Sequence, residues 1–420
     1  MLRSLLALLV ILTLASCASN KSAQEHNTEG LHHLQNGRYL KAETEFAAAA
    51  KLDSNSAEFK NNLGVAYLRQ GRYGDAANQL QEAIKLDDTK ALYFKNLGDA
   101  LLGQGQLDSA LSQYQRALSI NPAEVGAHRG IILIAFDTGT TDRYIKEFDD
   151  AAQSAKPDDT RSIDVIYLTE QAILQGYILQ GKYEEVISRA TVDIDAIRGV
   201  KTENDRYVIP IVTPFFYWMH TIPKTRMNFD GITASLYNFR GRAYLGKGML
   251  NDAISDLKHS NKNVPNGFGN LYLGIVYLRA GNSHEAVYRL RKFLDAHPDS
   301  FIARLYYVAA LKVDGDLKAA EEQLTEAHKS AERFEKTELK HEYESFEALA
   351  YVNQLWGRRD AAIKMYKRVL RACPSCGWSD RNLGEIYLGL GDKATARYYL
   401  SRAAGLLPAD QRTKELLRGL

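Results

Sequence analysis

Residues 62–76 read NLGVAYLRQGRYGDA, and residues 96–110 read NLGDALLGQGQLDSA. The first glycine of this pattern recurs at Gly30, Gly64 and Gly98, each 34 residues after the last. A second glycine, seven residues further on, recurs with the same period, as in Gly71 and Gly105. A fixed period of this length indicates a chain built from stacked copies of one small unit.

The residue types predict that each unit is a pair of antiparallel helices, A and B. Large side chains such as Leu63 and Leu80 fill the space between them, and Gly64 lets the two backbones approach. Gly71 falls in the tight turn between the helices, where a positive φ suits glycine. Pro122 falls where a helix B must stop. One unit cannot bury its apolar face alone, so neighbouring units are expected to stack.

The pattern resembles the tetratricopeptide repeat (TPR) family. It returns late in the chain, where Gly281 and Gly315, and again Gly357 and Gly391, lie 34 residues apart. With two degenerate units, at residues 125–158 and 167–200, it accounts for most of residues 23–409. The resemblance implies an all-α fold: a right-handed α-α superhelix of about ten helix pairs, interrupted by one non-TPR insertion.

The register breaks at three places. Gly139 to Gly181 and Gly315 to Gly357 both span 42 residues, about two helical turns more than the period. A longer helix B is the simplest interpretation, as in residues 319–340. The third break, residues 191–233, is rich in proline and β-branched residues, which argues against a helix A.

That insertion carries an aromatic run, Phe215, Phe216, Tyr217 and Trp218, followed by Met219. The run either packs back onto the repeats as a plug or forms a binding loop, since exposed aromatic patches mark contact sites.

The N-terminus is typical of a secretory signal peptide: Arg3, then an apolar run from Leu5 to Leu14 that is short for a membrane span. Leu14-Ala15-Ser16-Cys17 resembles the lipobox of bacterial lipoproteins. The resemblance implies cleavage before Cys17 and acylation of its thiol. It also implies a lipid anchor in the outer membrane, facing the periplasm, because no aspartate follows the cysteine. An ordinary secretory signal is the alternative.

The predicted domains are a signal peptide (1–16), a tether (17–24), an N-terminal TPR block (25–190), the insertion (191–233), a C-terminal TPR block (234–408) and a capping helix (409–420).

Composition narrows the function. The formal net charge is only +2, so the chain lacks the strongly basic footprint of a nucleic-acid-binding protein. No metalloprotease, serine-hydrolase or P-loop motif is present, so we expect neither an enzyme nor a cofactor or metal. Cys373 and Cys376 are predicted to form a disulfide in an oxidising compartment, with free thiols, or a redox or metal role, as alternatives.

The family resemblance also implies a binding surface, because helix A lines the concave face of a TPR superhelix. The candidate protein contacts are the A-helix residues Asn62, Lys95, Asn96, Asn238, Arg242, Arg381 and Asn382, together with the aromatic run. Asn62, Asn96 and Asn382 match the position at which family members hydrogen-bond a peptide backbone. The preceding repeat offers Asn27 and Leu31, so the family's tail-binding clamp is incomplete. A merely solvated helix face is the alternative.

These features predict a membrane-anchored periplasmic scaffold that binds proteins and assists assembly of an envelope machine, in pilus formation, secretion or exopolysaccharide export. The alternatives are a redox-switched or a glycan-binding structural component of the cell envelope.

Overall fold

The computed structural model describes the chain in seven stretches: residues 21–154, 160–203, 206–208, 221–223, 229–264, 267–336 and 339–420. The chain divides into two compact units between Ile120 and Asn121. Each unit is a stack of helix pairs, and each is described by itself.

The first unit contains three helix pairs within residues 21–120. They are α1 (Ala23–Gln35) with α2 (Tyr39–Leu52), α3 (Ala57–Arg69) with α4 (Tyr73–Leu86), and α5 (Ala91–Gly103) with α6 (Leu107–Ile120). The A helices α1, α3 and α5 also contact one another in succession. Ser56 caps α3, its hydroxyl accepting the backbone N–H of Phe59, which satisfies one of the N–H groups left free at a helix start.

The second unit contributes seven helix pairs among the described residues. They are α7 (Val125–Thr138) with α8 (Thr141–Ser154), α9 (Thr160–Gln180) with α10 (Tyr183–Arg198), α11 (Phe229–Gly246) with α12 (Leu250–Asn263), α13 (Gly269–Arg279) with α14 (Ser283–Ala296), α15 (Phe301–Asp314) with α16 (Leu317–Lys336), α17 (Tyr343–Leu355) with α18 (Arg359–Ala372), and α19 (Gly377–Gly389) with α20 (Lys393–Leu406). A short 3₁₀ helix, Lys340–Glu342, precedes α17, and α21 (Gln411–Arg418) packs on α20. The predicted all-α repeat fold is confirmed.

The turn between the helices of every described pair contains one glycine with positive φ. Gly71, at φ 73°, is the predicted example. An L side chain rarely adopts this conformation, so glycine is required where helix A must reverse into helix B within two or three residues. The remaining members are Gly37, Gly105, Gly139, Gly181, Gly248, Gly281, Gly315, Gly357 and Gly391.

The small residue in helix A has the predicted packing role. A Cβ atom added at Gly64 would lie 2.7 Å from Cγ of Leu80 on helix B, and one at Gly98 would lie 2.6 Å from the ring of Tyr114. Leu80 and Tyr114 are fully buried. The two backbones can therefore approach only because the side chain on one of them is missing.

The two eight-residue register breaks have different origins. Helix α16 is 20 residues long where the helix B of an ordinary pair has 14, as predicted. The expectation of a long helix B is wrong for the first break, because α8 has the ordinary 14 residues and the following helix A, α9, has 21. Periodicity counts the extra residues between two turns, but it does not assign them to the helix before or after the B–A junction.

The described part of the insertion contains a small antiparallel sheet. Its strands are β1 (Lys201–Glu203), β2 (Arg206–Val208) and β3 (Thr221–Pro223), in the order β1-β2-β3. Thr202 pairs with Tyr207, and Tyr207 with Ile222. Helix α10 precedes the sheet and α11 follows it, so both overlap the ends of the predicted 191–233 insertion.

Candidate functional site

Three of the predicted contact residues, Asn62, Lys95 and Asn96, lie in the first unit, in a chain of side-chain hydrogen bonds that links neighbouring A helices. Asn62 donates to the side-chain oxygen of Asn27 (2.9 Å), and Asn96 donates to that of Asn61 (2.8 Å). Asn61 in turn donates to Asn62 (3.2 Å), so these four side chains form a continuous amide ladder. Lys95 extends it, donating to Asn96 at 3.3 Å.

The amide ladder is mostly inside the protein. Asn27, Asn61 and Asn96 are 0–4% exposed, while Asn62 is half-buried. The expectation that Asn96 lies on an exposed face is therefore wrong. An amide both donates and accepts, so amides from successive A helices satisfy each other when the helices pack closely. Peptide binding by Asn62 and Asn96 stays a prediction.

The other predicted A-helix residues lie in the second unit. Asn382 is fully buried, which corrects its expected exposure, and it donates to the Tyr366 hydroxyl (2.8 Å). Arg381 is largely buried, forms an ion pair with Asp410 at 3.6 Å, and covers the Trp378 ring at 4.9 Å.

Asn238 is half-buried, and its side-chain nitrogen has no hydrogen-bond partner among the described residues. Arg242 is largely buried and bonds to Gln175 (2.9 Å) and Glu344 (3.3 Å).

Two predicted sites lie outside the described residues: Cys17, and the aromatic run Phe215, Phe216, Tyr217 and Trp218. Cys373 and Cys376 are joined by a disulfide and are both buried. This bridge closes the turn between α18 and α19, and Cys376 lines the pocket described next.

A pocket lies in the second unit where helices distant in sequence converge, and it encloses about 600 Å³, including the part open to solvent. We call it the arginine–tyrosine pocket. It is lined by the C-terminal end of α9, the start of α10, the A helices α11, α13, α15 and α17, and the first turn of α19. Its polar side chains are Tyr183, Arg242, Tyr272, Arg279, Tyr306, Tyr343, Glu344 and Glu347, and Trp378 adds an indole wall.

The start of α19 forms one wall of the pocket, and contacts with distant repeats hold it in place. The Trp378 indole N–H donates to the carbonyl of Leu245 at 2.8 Å, and Arg279 lies over the indole ring at 4.9 Å. Ser379 donates to Glu347 at 2.9 Å. The start of α19 is thus fixed against α11, α13 and α17, which closes the pocket on that side.

The two carboxylates of the pocket accept from hydroxyl groups. Glu344 accepts from Tyr272 at 3.2 Å, and Glu347 accepts from Tyr306 at 3.5 Å as well as from Ser379. Burial, reinforced by Glu347 and Glu344, raises the pKa of the Tyr183 hydroxyl, and burial likewise raises the pKa of Tyr272. The tyrosines are therefore neutral hydrogen-bond donors across the physiological range.

Each of the two guanidinium groups pairs with a carboxylate of the pocket. Arg242 and Arg279 are 9% and 3% exposed, and each pairs with one carboxylate at the long distances of 3.3 Å and 3.5 Å. Burial opposes their charge, but Tyr272 and Glu344 raise the pKa of Arg242 overall, and Glu347 does so for Arg279. Nε of Arg242 has no hydrogen-bond acceptor among the described residues, and Nη2 of Arg279 has only its ion pair with Glu347; neither atom has exposed surface.

The charges of the pocket balance. Two guanidinium groups face two carboxylates, and the tyrosines add none. A buried donor without an acceptor costs about 1–3 kcal/mol. These two donors belong to the interior of the pocket walls, since they have no exposed surface, and a group in the pocket does not reach them.

Family models match this chain to the tetratricopeptide repeat over residues 27–91, 95–160, 271–333 and 347–411. The chain belongs to the tetratricopeptide repeat family. Its repeats make it a scaffold for protein–protein interaction, and this fold is typically non-catalytic. No curated protein sequence matches it.

Several solved TPR-containing structures are similar in part. An O-GlcNAc transferase mutant of Thermobaculum terrenum is 25% identical over 32% of this chain and 26% of that chain, with a TM-score of 0.29. The P58(IPK) TPR domain is 18% identical over 94% of this chain and 96% of that chain, with a TM-score of 0.24. A tetratricopeptide repeat protein from Parabacteroides merdae is 15% identical over 86% of this chain and 97% of that chain, with a TM-score of 0.33. The chain thus matches only about a quarter of the transferase.

Most of the pocket residues of the repeat array were not predicted from the sequence. Tyr272 and Tyr306 each stand nine residues before their turn glycine, as Asn62 does before Gly71. A search limited to amide and basic side chains passes over tyrosines in this register, although the register itself marks the inner surface of helix A.

Within the described ranges, no group of three or more His, Cys, Asp or Glu side chains is arranged to hold a metal ion. Among the same residues, no helix has both the length and the apolar character that crossing a bilayer requires.

Proposed function

We propose that this chain is a membrane-anchored periplasmic scaffold that binds a protein partner on a concave A-helix face and assists assembly of an envelope machine. Pilus formation, secretion and exopolysaccharide export are the processes we consider. The observation that carries the proposal is the arginine–tyrosine pocket, where A helices from several repeats bring two guanidinium groups, two carboxylates and several aromatic rings together.

Two further features support it. The sequence around Cys17 resembles a lipobox, and acyl chains would hold the protein at a membrane surface with about 0.8 kcal/mol for each buried CH₂ group. The Cys373–Cys376 disulfide suits an oxidising compartment such as the periplasm.

In-cell photo-cross-linking tests the binding surface. A photoreactive phenylalanine replaces Ile302, which lines the pocket, or Tyr288, which is 53% exposed on the B helix α14. We expect a defined envelope-protein adduct from position 302 and none from the matched position 288. Equal adducts from both positions, or none from position 302, would contradict binding at this surface.

Palmitate labelling tests the anchor. The intact chain is expected to incorporate label and to fractionate with membranes, and the Cys17→Ser variant is expected to do neither. A chain recovered free of label would refute the anchor and leave the binding surface to be judged by the cross-links.

A further inference from the structure

The first unit exposes its large apolar side chains mainly along one edge. Within residues 21–120 these exposed side chains are Leu40, Leu52, Leu86 and Leu92. Leu52 and Leu86 end the B helices α2 and α4 and are 60% and 43% exposed, and Leu92 is the second residue of the A helix α5, at 48%. In a stack of antiparallel helix pairs each B helix ends where the next A helix begins, so these three leucines share one edge.

The predicted lipid anchor leaves the protein at the same edge. Helix α1 is an A helix, and its first turns lie beside α2 and the start of α3. His26 contacts Glu45 of α2 at 2.7 Å, and Asn27 donates to Glu58 of α3 at 3.0 Å. Only five residues separate Cys17 from the start of α1. A chain extends by at most about 3.6 Å per residue, so an acylated Cys17 holds this edge within about 20 Å of the bilayer surface.

Each of the three leucines follows a lysine by one or two residues. The lysines are Lys51, Lys85 and Lys90, and all are exposed. A lysine lays its methylene groups along an apolar surface while its ammonium group stays in water. Aspartates such as Asp53 and Asp87 stand among them, so the edge has no strong positive charge. We therefore expect burial of apolar surface, rather than attraction to anionic lipids, to hold this edge on a membrane.

Lys90 also departs from the pattern of the other two A helices of the first unit. The N-cap residues Ser22 and Ser56 each accept a backbone N–H of their helix, but Lys90 occupies the N-cap position of α5 and accepts none. Its charge also faces the positive end of the helix dipole. Helix stability therefore does not account for a lysine here, whereas a phosphate, which zwitterionic and anionic lipid headgroups both carry, would accept from its ammonium group.

We propose that the edge formed by Leu52, Leu86 and Leu92, here called the tether edge, lies against the bilayer that holds the acylated Cys17, with the three leucines inserted among the lipid headgroups. This inference rests on the lipid anchor of the proposed function and adds a non-covalent contact that orients the first unit on the membrane. The short tether gives the edge a high effective concentration of lipid, so a surface too small to bind a membrane by itself becomes effective.

Electron paramagnetic resonance of nitroxide-labelled chains tests the proposal. A cysteine that carries the label replaces Leu52, Leu86 or Leu40 in the full lipidated chain, which is inserted into vesicles of uncharged phosphatidylcholine and phosphatidylethanolamine. Collisions of the label with oxygen, which concentrates in the bilayer, are compared with collisions with a water-soluble nickel chelate. We expect labels at positions 52 and 86 to gain oxygen collisions and to lose most nickel collisions.

The label at position 40 is the matched control. Leu40 is 72% exposed, and it lies at the opposite end of α2 from Leu52, about 18 Å away at 1.5 Å per helical residue. We expect this label to stay open to nickel. In the Cys17→Ser chain without vesicles, all three labels are expected to be equally open.

Removal of the leucines provides the second arm of the test. The double variant Leu52→Ser with Leu86→Ser is expected to open a label at position 92 to nickel, whereas Leu40→Ser is expected to leave that label protected. These leucines are exposed, so the changes leave the core of the helix pairs intact. Addition of anionic phosphatidylglycerol to the vesicles is expected to change the protection little.

Equal nickel access at positions 52 and 40 in vesicles would overturn the proposal. Protection found only with anionic lipid would overturn it too, since charge and not the leucines would then hold the edge. So would protection that grows with the amount of protein per lipid without a gain in oxygen collisions, because a second copy of the chain would then cover the edge. A chain that incorporates palmitate yet leaves position 52 open to nickel would show that this inference had failed while the anchor stood.

Discussion

Asp380 lies in the first turn of α19 with no exposed surface, and neither carboxylate oxygen has a hydrogen-bond donor among the described residues. Arg402 approaches it to 3.4 Å. Burial raises the pKa of Asp380 to about 7, although Arg402 acts to lower it. The folded protein therefore favours the protonated form, against an ordinary aspartate pKa of about 3.9 in the unfolded chain.

The sign of the resulting pH dependence follows. A carboxyl group with a raised folded-state pKa contributes stability that is full below about pH 4 and lost as the pH rises through about 7. We expect Asp380→Asn to leave the free energy of unfolding unchanged near pH 4 and to increase it at pH 8. Urea unfolding followed by circular dichroism measures the difference.

Asp392 is the control of opposite sign on the same helix pair. It is exposed, and hydrogen bonds from the Thr395 hydroxyl and backbone N–H lower its pKa. Asp392→Asn should therefore weaken the protein at pH 8 rather than strengthen it. An Asp380→Asn variant that is less stable than the natural chain at pH 8 would contradict the burial argument.

The helix pair α3–α4 shows how a repeat unit depends on the close approach of its two backbones. Gly64 is buried against Leu80, with 2.7 Å between its would-be Cβ and Cγ of that leucine. We expect Gly64→Ala to lower the free energy of unfolding by about 1–3 kcal/mol, because the added methyl group overpacks the helix interface. Thermal or urea unfolding measures the loss.

Gly74 offers a matched substitution in the same pair. It is exposed in the first turn of α4, and a Cβ there would meet nothing within 4 Å. Gly74→Ala should be neutral or slightly stabilising, since alanine loses less conformational freedom in a helix. If the two alanine variants lose the same stability, close approach at Gly64 is not the cause.

At the scale of the second unit, contacts between distant repeats complement the stacking of neighbours. The Asp137 carboxylate accepts the backbone N–H of His341 at 2.9 Å and contacts its Nδ1 at 2.6 Å, across 204 residues of sequence. Lys340 donates to the Asp137 carbonyl. The end of α7 is thus tied to the 3₁₀ helix before α17.

We expect Asp137→Ala to release this tie and to speed amide hydrogen exchange in both residues 339–343 and the end of α7. The control is Asp142→Ala, because Asp142 is exposed and its bonds to Lys182 and Gln180 join neighbouring helix pairs rather than distant ones. Unchanged exchange at residues 339–343 in Asp137→Ala would mean that stacking of neighbours alone holds this region.

The sequence by itself determined the repeat unit, because glycine at each turn and a small residue against a large one are local requirements of a helix pair. Gly64, Gly71 and Leu80 could therefore be interpreted without a structure. The extra turns of α9, by contrast, were assigned to the wrong helix, since a period measures a distance and not the place of a boundary.

Only the tertiary structure decided which A-helix side chains are satisfied and which are not. Asn96 and Asn382 carried the signal of exposed binding amides, yet close packing buries both. The arginine–tyrosine pocket joins Arg242, Arg279 and Glu344 with Trp378 across more than 130 residues of chain. These residues come together because each repeat is rotated slightly relative to the one before it. The total rotation over several repeats cannot be inferred from the sequence of any single repeat.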